Sequence, residues 1–359
     1  MRKSLWTATA ATAGSAILGW AAWSRYGVPH GSPLPDALDG ERVALDTRAG
    51  RISFYRSLPD TDAAVRATPL LLVHSVNAAA SAYEMKPLYD ALRARRPVYA
   101  MDLPGFGFAE RRARDYHPSV MAVALVSMAD EVRRHHPDVP APDAIALSLS
   151  CEFLARAAVD YPDLFSTVGF ISPTGLECRS AARIAPGSPA VPPPDAPARM
   201  PSGSRRVASA LDTGPWSQPL FDLLVTRPSI RHFLRRTFGS TTVPAGLVDY
   251  CWRTAHQPGA RHAPLSFLAW RPFSEDPVTL YRAVRQPAWL AHGVRGAFAR
   301  FDGKDALRDR PNWTVDVFDS GAMPQFECPE ALLARYDAFI GHRLREPERL
   351  HGRPCAYAR

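Results

Sequence analysis

Short, mostly apolar runs recur along the chain, each bounded by polar or turn-forming residues: Pro69 to Val73, Pro97 to Leu103, Asp143 to Leu147, Phe165 to Pro173, Gln286 to Gly293 and Trp313 to Asp319. They are too short for helices and apolar on both faces, which fits strands buried in a parallel sheet. Two further strands are expected around 41 to 46 and 51 to 57, with Arg48-Ala49-Gly50-Arg51 as the turn between them. Helical spacing of apolar residues marks 118 to 135, 149 to 161 and about 329 to 343. Ser81 with Glu84 has the form of a capping box, with Pro87 delaying the regular helix behind it. Strands that alternate with helices indicate a parallel sheet covered on both faces, an α/β fold.

The pattern changes character twice. Ser4 to Ser24 carries no charge and holds Trp6, Trp20 and Trp23 toward its ends. A helix of that length covers about 30 Å, enough for a bilayer core, with the aromatic residues at interfacial depth. We therefore expect residues 1 to 25 to be an N-terminal transmembrane anchor. A cleaved signal peptide is the alternative, but the segment is long for one and no small-x-small site follows before Arg25. Arg2 and Lys3 favour a cytoplasmic N-terminus with the domain on the far side, periplasmic for a bacterial inner membrane. Residues 26 to 40, with their prolines and glycines, read as a linker.

The second change lies between the fourth and fifth of the apolar runs. The core is expected over 41 to 174 and again over 286 to 345, with 175 to 285 as an insertion and 346 to 359 as a tail. Within the insertion, 185 to 205 is crowded with Pro, Ala, Ser and Arg and is expected to be disordered. Helical stretches near 216 to 238, 243 to 255 and 277 to 284 would form a cap over the edge of the sheet where ligands of such folds bind.

Composition narrows the function. The net charge of +8 comes almost wholly from arginine, since Lys3, Lys86 and Lys304 are the only lysines. The basic residues are dispersed rather than massed with aromatics, so nucleic acid is a poor partner. The cysteines Cys151, Cys178, Cys251, Cys328 and Cys355 are odd in number and have no metal spacing, which argues against a disulfide framework or a zinc site. Nothing calls for a metal or organic cofactor.

Candidate chemistry centres on Ser148, on the sharp turn between the strand 143 to 147 and the helix behind it. Such a turn exposes one side chain over the positive end of the helix dipole. In Ala146-Leu147-Ser148-Leu149-Ser150, small residues stand on both sides of it. From about residue 41 to 345 the sequence resembles the α/β-hydrolase superfamily, whose nucleophile motif is G-x-S-x-G. His74-Ser75-Val76-Asn77 matches the family's H-G-x-x loop, and Asp102-Leu-Pro-Gly-Phe-Gly-Phe its D-x-P-G-x-G-x turn. Pro162 follows Ser148 at a familiar spacing, and Ser320-Gly-Ala-Met-Pro-Gln-Phe-Glu-Cys-Pro-Glu resembles G-H-x-P-x-x-E-x-P-E. The resemblance implies an α/β-hydrolase fold with a helical cap and Ser148 as nucleophile. It also implies oxyanion donors at the N–H groups of Leu149 and Val76, and a structural role for His74.

The same alignment shows two departures. A serine hydroxyl needs a base, and the base an orienting acid. The family's acid position falls on Gly296 in His292-Gly-Val-Arg-Gly, and its histidine position on Ala322. His292, Asp302, Glu177, His256 and His262 are replacement candidates, each more simply read as structural or solvated; Gln325 can hydrogen-bond but is no base. Glu152 is expected to pair with Arg156 on its helix, and Cys151 to be a small core residue. Two main readings follow. One is a serine carboxylic-ester or acyl hydrolase with an unconventional base. The other is a degenerate member that binds an apolar small molecule or an envelope partner; a third keeps the fold only as an envelope scaffold.

Overall fold

The computed structural model describes residues 19 to 176, 214 and 216 to 345. Eight strands form one sheet in the order β1-β2-β4-β3-β5-β6-β7-β8. They are β1 (Glu41–Thr47), β2 (Gly50–Ser57), β3 (Leu70–Val73), β4 (Val98–Asp102), β5 (Asp143–Leu147), β6 (Val168–Ile171), β7 (Ala288–Gly293) and β8 (Trp313–Phe318). Only β2 runs antiparallel to its neighbours; β4-β3-β5-β6-β7-β8 are parallel. The run expected at 165 to 173 pairs only over 168 to 171.

Alternation along each strand feeds two cores. Leu71, Val73, Ala144, Ala146, Phe170 and Leu290 face helices α2 (Pro118–His135) and α3 (Ser150–Asp160). Leu70, Leu72, Ile145, Leu147, Ile171 and Trp289 face α1 (Lys86–Leu92) and the last helix, Pro329–Arg345. Both faces are buried, which is why these strands read as unbroken apolar runs. The Ser81–Glu84 capping box does not form. Ser81 makes no side-chain cap, a 3₁₀ turn over Ala82–Met85 precedes α1, and the Glu84 carboxylate is drawn into the loop after β3.

In the insertion, α4 (Ser217–Leu224) and α5 (Arg227–Phe238) replace the single stretch expected over 216 to 238. Thr226 caps α5 and Pro228 opens its first turn. Then come α6 (Ala245–Ala255) and α7 (His262–Leu268), the latter unmarked by sequence pattern. Three of these pack on segments that follow the C-terminal ends of strands, as a cap should: Gly246 of α6 against Tyr83, Ala263 of α7 against Gly105, and the end of α5 against Gly296 and Gly321; α4 packs on α5 and on the N-terminal turn. The last expected cap helix, α8 (Pro277–Ala283), belongs to the core instead: it lies on α3 and sets Tyr281 edge-on to Phe170. Residues 185 to 205 and 346 to 359 lie outside the described residues.

The segment read as a linker is docked. Ser24 Oγ donates to Asp222 Oδ2 at 2.5 Å, Gly31 N to the His256 carbonyl at 2.8 Å, and Tyr250 OH to the Pro35 carbonyl at 2.9 Å. Ala37 and Leu38 are buried beside β2 and α1. Of the expected anchor only 19 to 25 are described, and these are helical. Among the described residues no helix is long and apolar enough to cross a membrane.

Beneath the sheet, the Arg96 guanidinium pairs with Asp143, which also accepts from Thr167 Oγ1 at 2.7 Å. Both members of the pair are buried. Removing one partner strands the other's charge. Arg96→Met is expected to cost about 3–5 kcal/mol, read as a lower urea midpoint with an unchanged slope.

Candidate active site

Ser148 stands where β5 turns into α3, at a φ of 57°, a conformation that side chains other than glycine's rarely adopt. Its own N–H donates to the Ile171 carbonyl at 2.8 Å, and its carbonyl accepts from Cys151 N at 3.1 Å. The backbone is thus held on both sides while the side chain stays half-exposed. Leu149 follows in helical conformation as the N-cap of α3. Its N–H is one of the donors that a helix start leaves without an internal partner.

Ser150, in place of the motif's second glycine, donates its hydroxyl to the His74 carbonyl at 2.5 Å. The substitution therefore ties the turn to the loop after β3. That loop is held internally as well. Glu84, buried, accepts from Ser75 N at 2.8 Å and from Asn77 Nδ2 at 2.7 Å; Asn77 Oδ1 accepts from Ala79 N at 2.8 Å. Val76 is buried within it. His74 is structural: its Nε2 accepts from Leu103 N at 3.0 Å and its Nδ1 lies 2.5 Å from the Ser75 carbonyl. Neither Leu149 N–H nor Val76 N–H donates to an acceptor among the described residues.

The positions read as acid and base meet each other across the end of α5. Ala297 N donates to the Arg236 carbonyl at 2.8 Å, and Ala322 N to the Thr237 carbonyl at 2.9 Å. Their two loops are also joined directly. Val294 N and Arg295 N both donate to the Ser320 carbonyl at 2.9 Å, and Glu327 accepts from Gly321 N at 2.6 Å and from Arg295 Nη2 at 2.9 Å. Gly296, at φ 89°, has no space for a side chain: a Cβ there would lie 2.6 Å from the Arg236 carbonyl oxygen. At Gly321 a Cβ would lie 2.4 Å from the carbonyl oxygens of Thr237 and Phe238. The main chain of the cap fills this corner.

No hydrogen bond reaches Ser148 Oγ from a described residue. His292 is buried, its Nδ1 2.8 Å from the Gly293 carbonyl and its ring on Phe301; Nε2 has no partner. Burial pushes its pKa down, so it is neutral near pH 7. His256 turns toward Trp252 and His30 at the docked N-terminal segment, and burial lowers its pKa too. His262 opens α7, Asp302 is exposed in the turn Asp302–Lys304, and Glu177 lies outside the described residues. The Gln325 amide donates to the Glu84 carbonyl at 3.2 Å. Glu152 is buried; it accepts from Thr174 Oγ1 and, at 2.8 Å, from Ser274 N. Burial pushes the Cys151 thiol well above its usual range, and its Sγ donates to the Ala146 carbonyl. Among the described residues, no group of His, Cys, Asp and Glu is placed to hold a metal ion.

One residue escaped the sequence reading. Arg111 lies at the seam between core and cap, beside a small, half-open cavity of about 10 Å³, water-sized, lined by Ala78, Ala79, Ala80, Phe106, Ala255 and Pro264 among others. Its guanidinium donates to the Gly107 carbonyl and to Thr254 Oγ1; among the described residues it makes no ion pair, and its buried Nε has no partner. Burial pushes its pKa down to about 10, against the pull of Asp102. Nothing in Glu110-Arg111-Arg112 distinguishes it from the surrounding surface arginines.

Residues 70 to 335 match a family model described as the alpha/beta hydrolase family. The chain belongs to that family. A search of curated proteins finds no match. Among solved structures, a serine hydrolase involved in carbazole degradation aligns at a TM-score of 0.62 and 14% identity, covering 84% of this chain and 100% of its own. A bacterial membrane phospholipase A aligns at 0.60 and 16%, covering 94% and 93%. A thermophilic esterase from Thermogutta terrifontis aligns at 0.59 and 17%, covering 84% and 99%. At such identities these hydrolases establish the fold that the chain shares with them.

The packing at the end of α5 makes a direct prediction. Gly296→Asp places a side chain at positive φ against a carbonyl, and is expected to destabilise by about 1–3 kcal/mol. Gly296→Asp combined with Ala322→His should therefore lower the melting temperature without raising ester turnover. A gain in turnover would show that the corner can open.

Proposed function

We propose that this α/β-hydrolase-family protein keeps the serine corner of its fold but not the means to activate it, and acts as a binding protein for an apolar small molecule. The observation that carries this is the sealed corner. Gly296 and Ala322 stand where the family's acid and base would be, and both loops close on carbonyls of the cap. Ser148 is left without a base. Removing the base from a serine triad has cost about 10⁶ in rate elsewhere, with roughly 10³–10⁴ over water remaining from oxyanion donors and binding. In this reading Leu149 N–H and Val76 N–H form a polar pocket rather than an oxyanion hole at work. Arg111 gives the ligand its charge: the seam beside it is only water-sized and would have to open, and an apolar body with one anionic end would then supply the counter-charge that the buried guanidinium lacks.

The second reading is an acyl hydrolase with Ser148 as nucleophile. The held, positive-φ conformation of Ser148 favours it, as a strained turn is costly to keep without use. In either reading residues 1 to 25 would hold the protein in a membrane as a single span, with the domain on the periplasmic side. The uncharged run from Ser4 to Ser24 supports this.

Two measurements separate the readings. A fluorophosphonate probe should leave the folded protein unlabelled, and ester turnover should be equal in wild type and Ser148→Ala. Labelling lost in Ser148→Ala would establish the hydrolase instead. Hexanoate is expected to raise the melting temperature, by about 2.7 kcal/mol of stability at a hundredfold excess over its Kd. Hexanol should not, and Arg111→Met should abolish the hexanoate effect.

A further inference from the structure

Exposed large apolar side chains concentrate on one side of the cap. Trp23 and Tyr26 on the docked N-terminal segment, Trp216 and Leu223 at α4, Phe233 on α5 and Phe298 are all 40–83% exposed. These positions are connected. Ser24 is bonded to Asp222 of α4, α4 packs on both the N-terminal turn and α5, and Phe298 follows Ala297, which is bonded to the end of α5. Scattered exposed apolar residues need no explanation, but a concentration of this kind does.

The charge on the same side has one sign. From 216 to 240 the only acidic residue is Asp222, and it is fully buried. Arg227 pairs with Asp249. Arg231, Arg235 and Arg236 are exposed and make no ion pair among the described residues. Aromatic and leucine side chains beside unneutralised arginines are the surface chemistry of helices that lie in the headgroup region of an anionic bilayer. A protein partner with an acidic apolar face would match the same pattern. Lipid fits better because the uncharged run that begins at Ser4 ends at this face, at Ser24, which is bonded to Asp222 of α4.

We infer that the α4–α5 face of the cap rests on the surface of an anionic membrane, with Trp23, Trp216, Leu223 and Phe233 at the acyl boundary and Arg231, Arg235 and Arg236 among the headgroups. The inference rests on the anchor reading above. The cap is then the membrane-facing side of the molecule, and the face of the sheet covered by α2 and α3 is not.

The test is hydrogen exchange on the full chain reconstituted in phosphatidylcholine vesicles with and without phosphatidylglycerol, and in uncharged detergent micelles. Amides of α4, α5 and the 297–299 loop are expected to exchange more slowly in the anionic vesicles, by about fivefold or more, the equivalent of one arginine–lipid contact. Arg231→Glu/Arg235→Glu/Arg236→Glu should lose the slowing, and so should Leu223→Ser/Phe233→Ser. Both variants should melt within a few degrees of wild type, since all five side chains are exposed. Equal exchange in all three settings overturns the inference. Protection in micelles that grows with protein concentration also overturns it, because a second copy would then be the occupant. The anchor is read separately by carbonate extraction. If the chain is extracted, its flotation on phosphatidylglycerol vesicles supports the face without the anchor, and failure to float overturns the face as well.

Discussion

Two consecutive carbonyls at the end of one cap helix govern how this molecule is put together. A helix leaves its last carbonyls without internal partners. In α5 those of Arg236 and Thr237 are satisfied by the N–H groups of Ala297 and Ala322, one from the segment after β7 and one from the segment after β8. The cap is thereby fastened to the sheet by main chain, at the corner where the fold ordinarily keeps its acid and base. Gly296 and Gly321 are required there because any side chain would collide with those oxygens. The space beside Gly296 and Gly321 is thus filled by the main chain that holds the cap down.

The other half of the site is built on the opposite principle. The turn at Ser148 and the loop after β3 are held by polar side chains pointing inward. Glu84, Asn77, His74 and Ser150 each satisfy a backbone group that would otherwise be buried unpaired. Ser150 in particular converts a position usually given to glycine into a link between the turn and the loop. Residues spent on holding this half are what make its two free N–H groups, at Leu149 and Val76, available to a ligand. Arg111 adds a charge at the adjoining seam that feels Asp102 but makes no direct ion pair among the described residues.

Burial explains why the remaining titratable residues do not step in. His292 and His256 are both sunk among aromatic rings, which favours the neutral form, and each spends one nitrogen on a backbone carbonyl. Glu152 is committed to Thr174 and Ser274, fixing α3 to the segments beside it. The Cys151 thiol is too deep to ionise. Among the described residues, none of these candidate bases makes a hydrogen bond to Ser148 Oγ.

Much of this was legible from the chain alone. Hydrophobic runs located the buried strands because a parallel sheet covered on both faces requires them. Local periodicity located 118 to 135 and, within a residue at each end, 149 to 161, because the helices there bury one continuous stripe. The turn at Ser148 was also readable, since a motif between a strand and a helix is a property of sequence. What tertiary structure alone decided were the partners across long separations. Glu84 leaves its expected cap for a loop nine residues back, 277 to 283 joins the core instead of the cap, and 26 to 40 docks instead of swinging free. The reason is common to all three. Short-range pattern states which groups must be buried or bonded, whereas the identity of the group that satisfies each one depends on which distant segment the folded chain brings beside it.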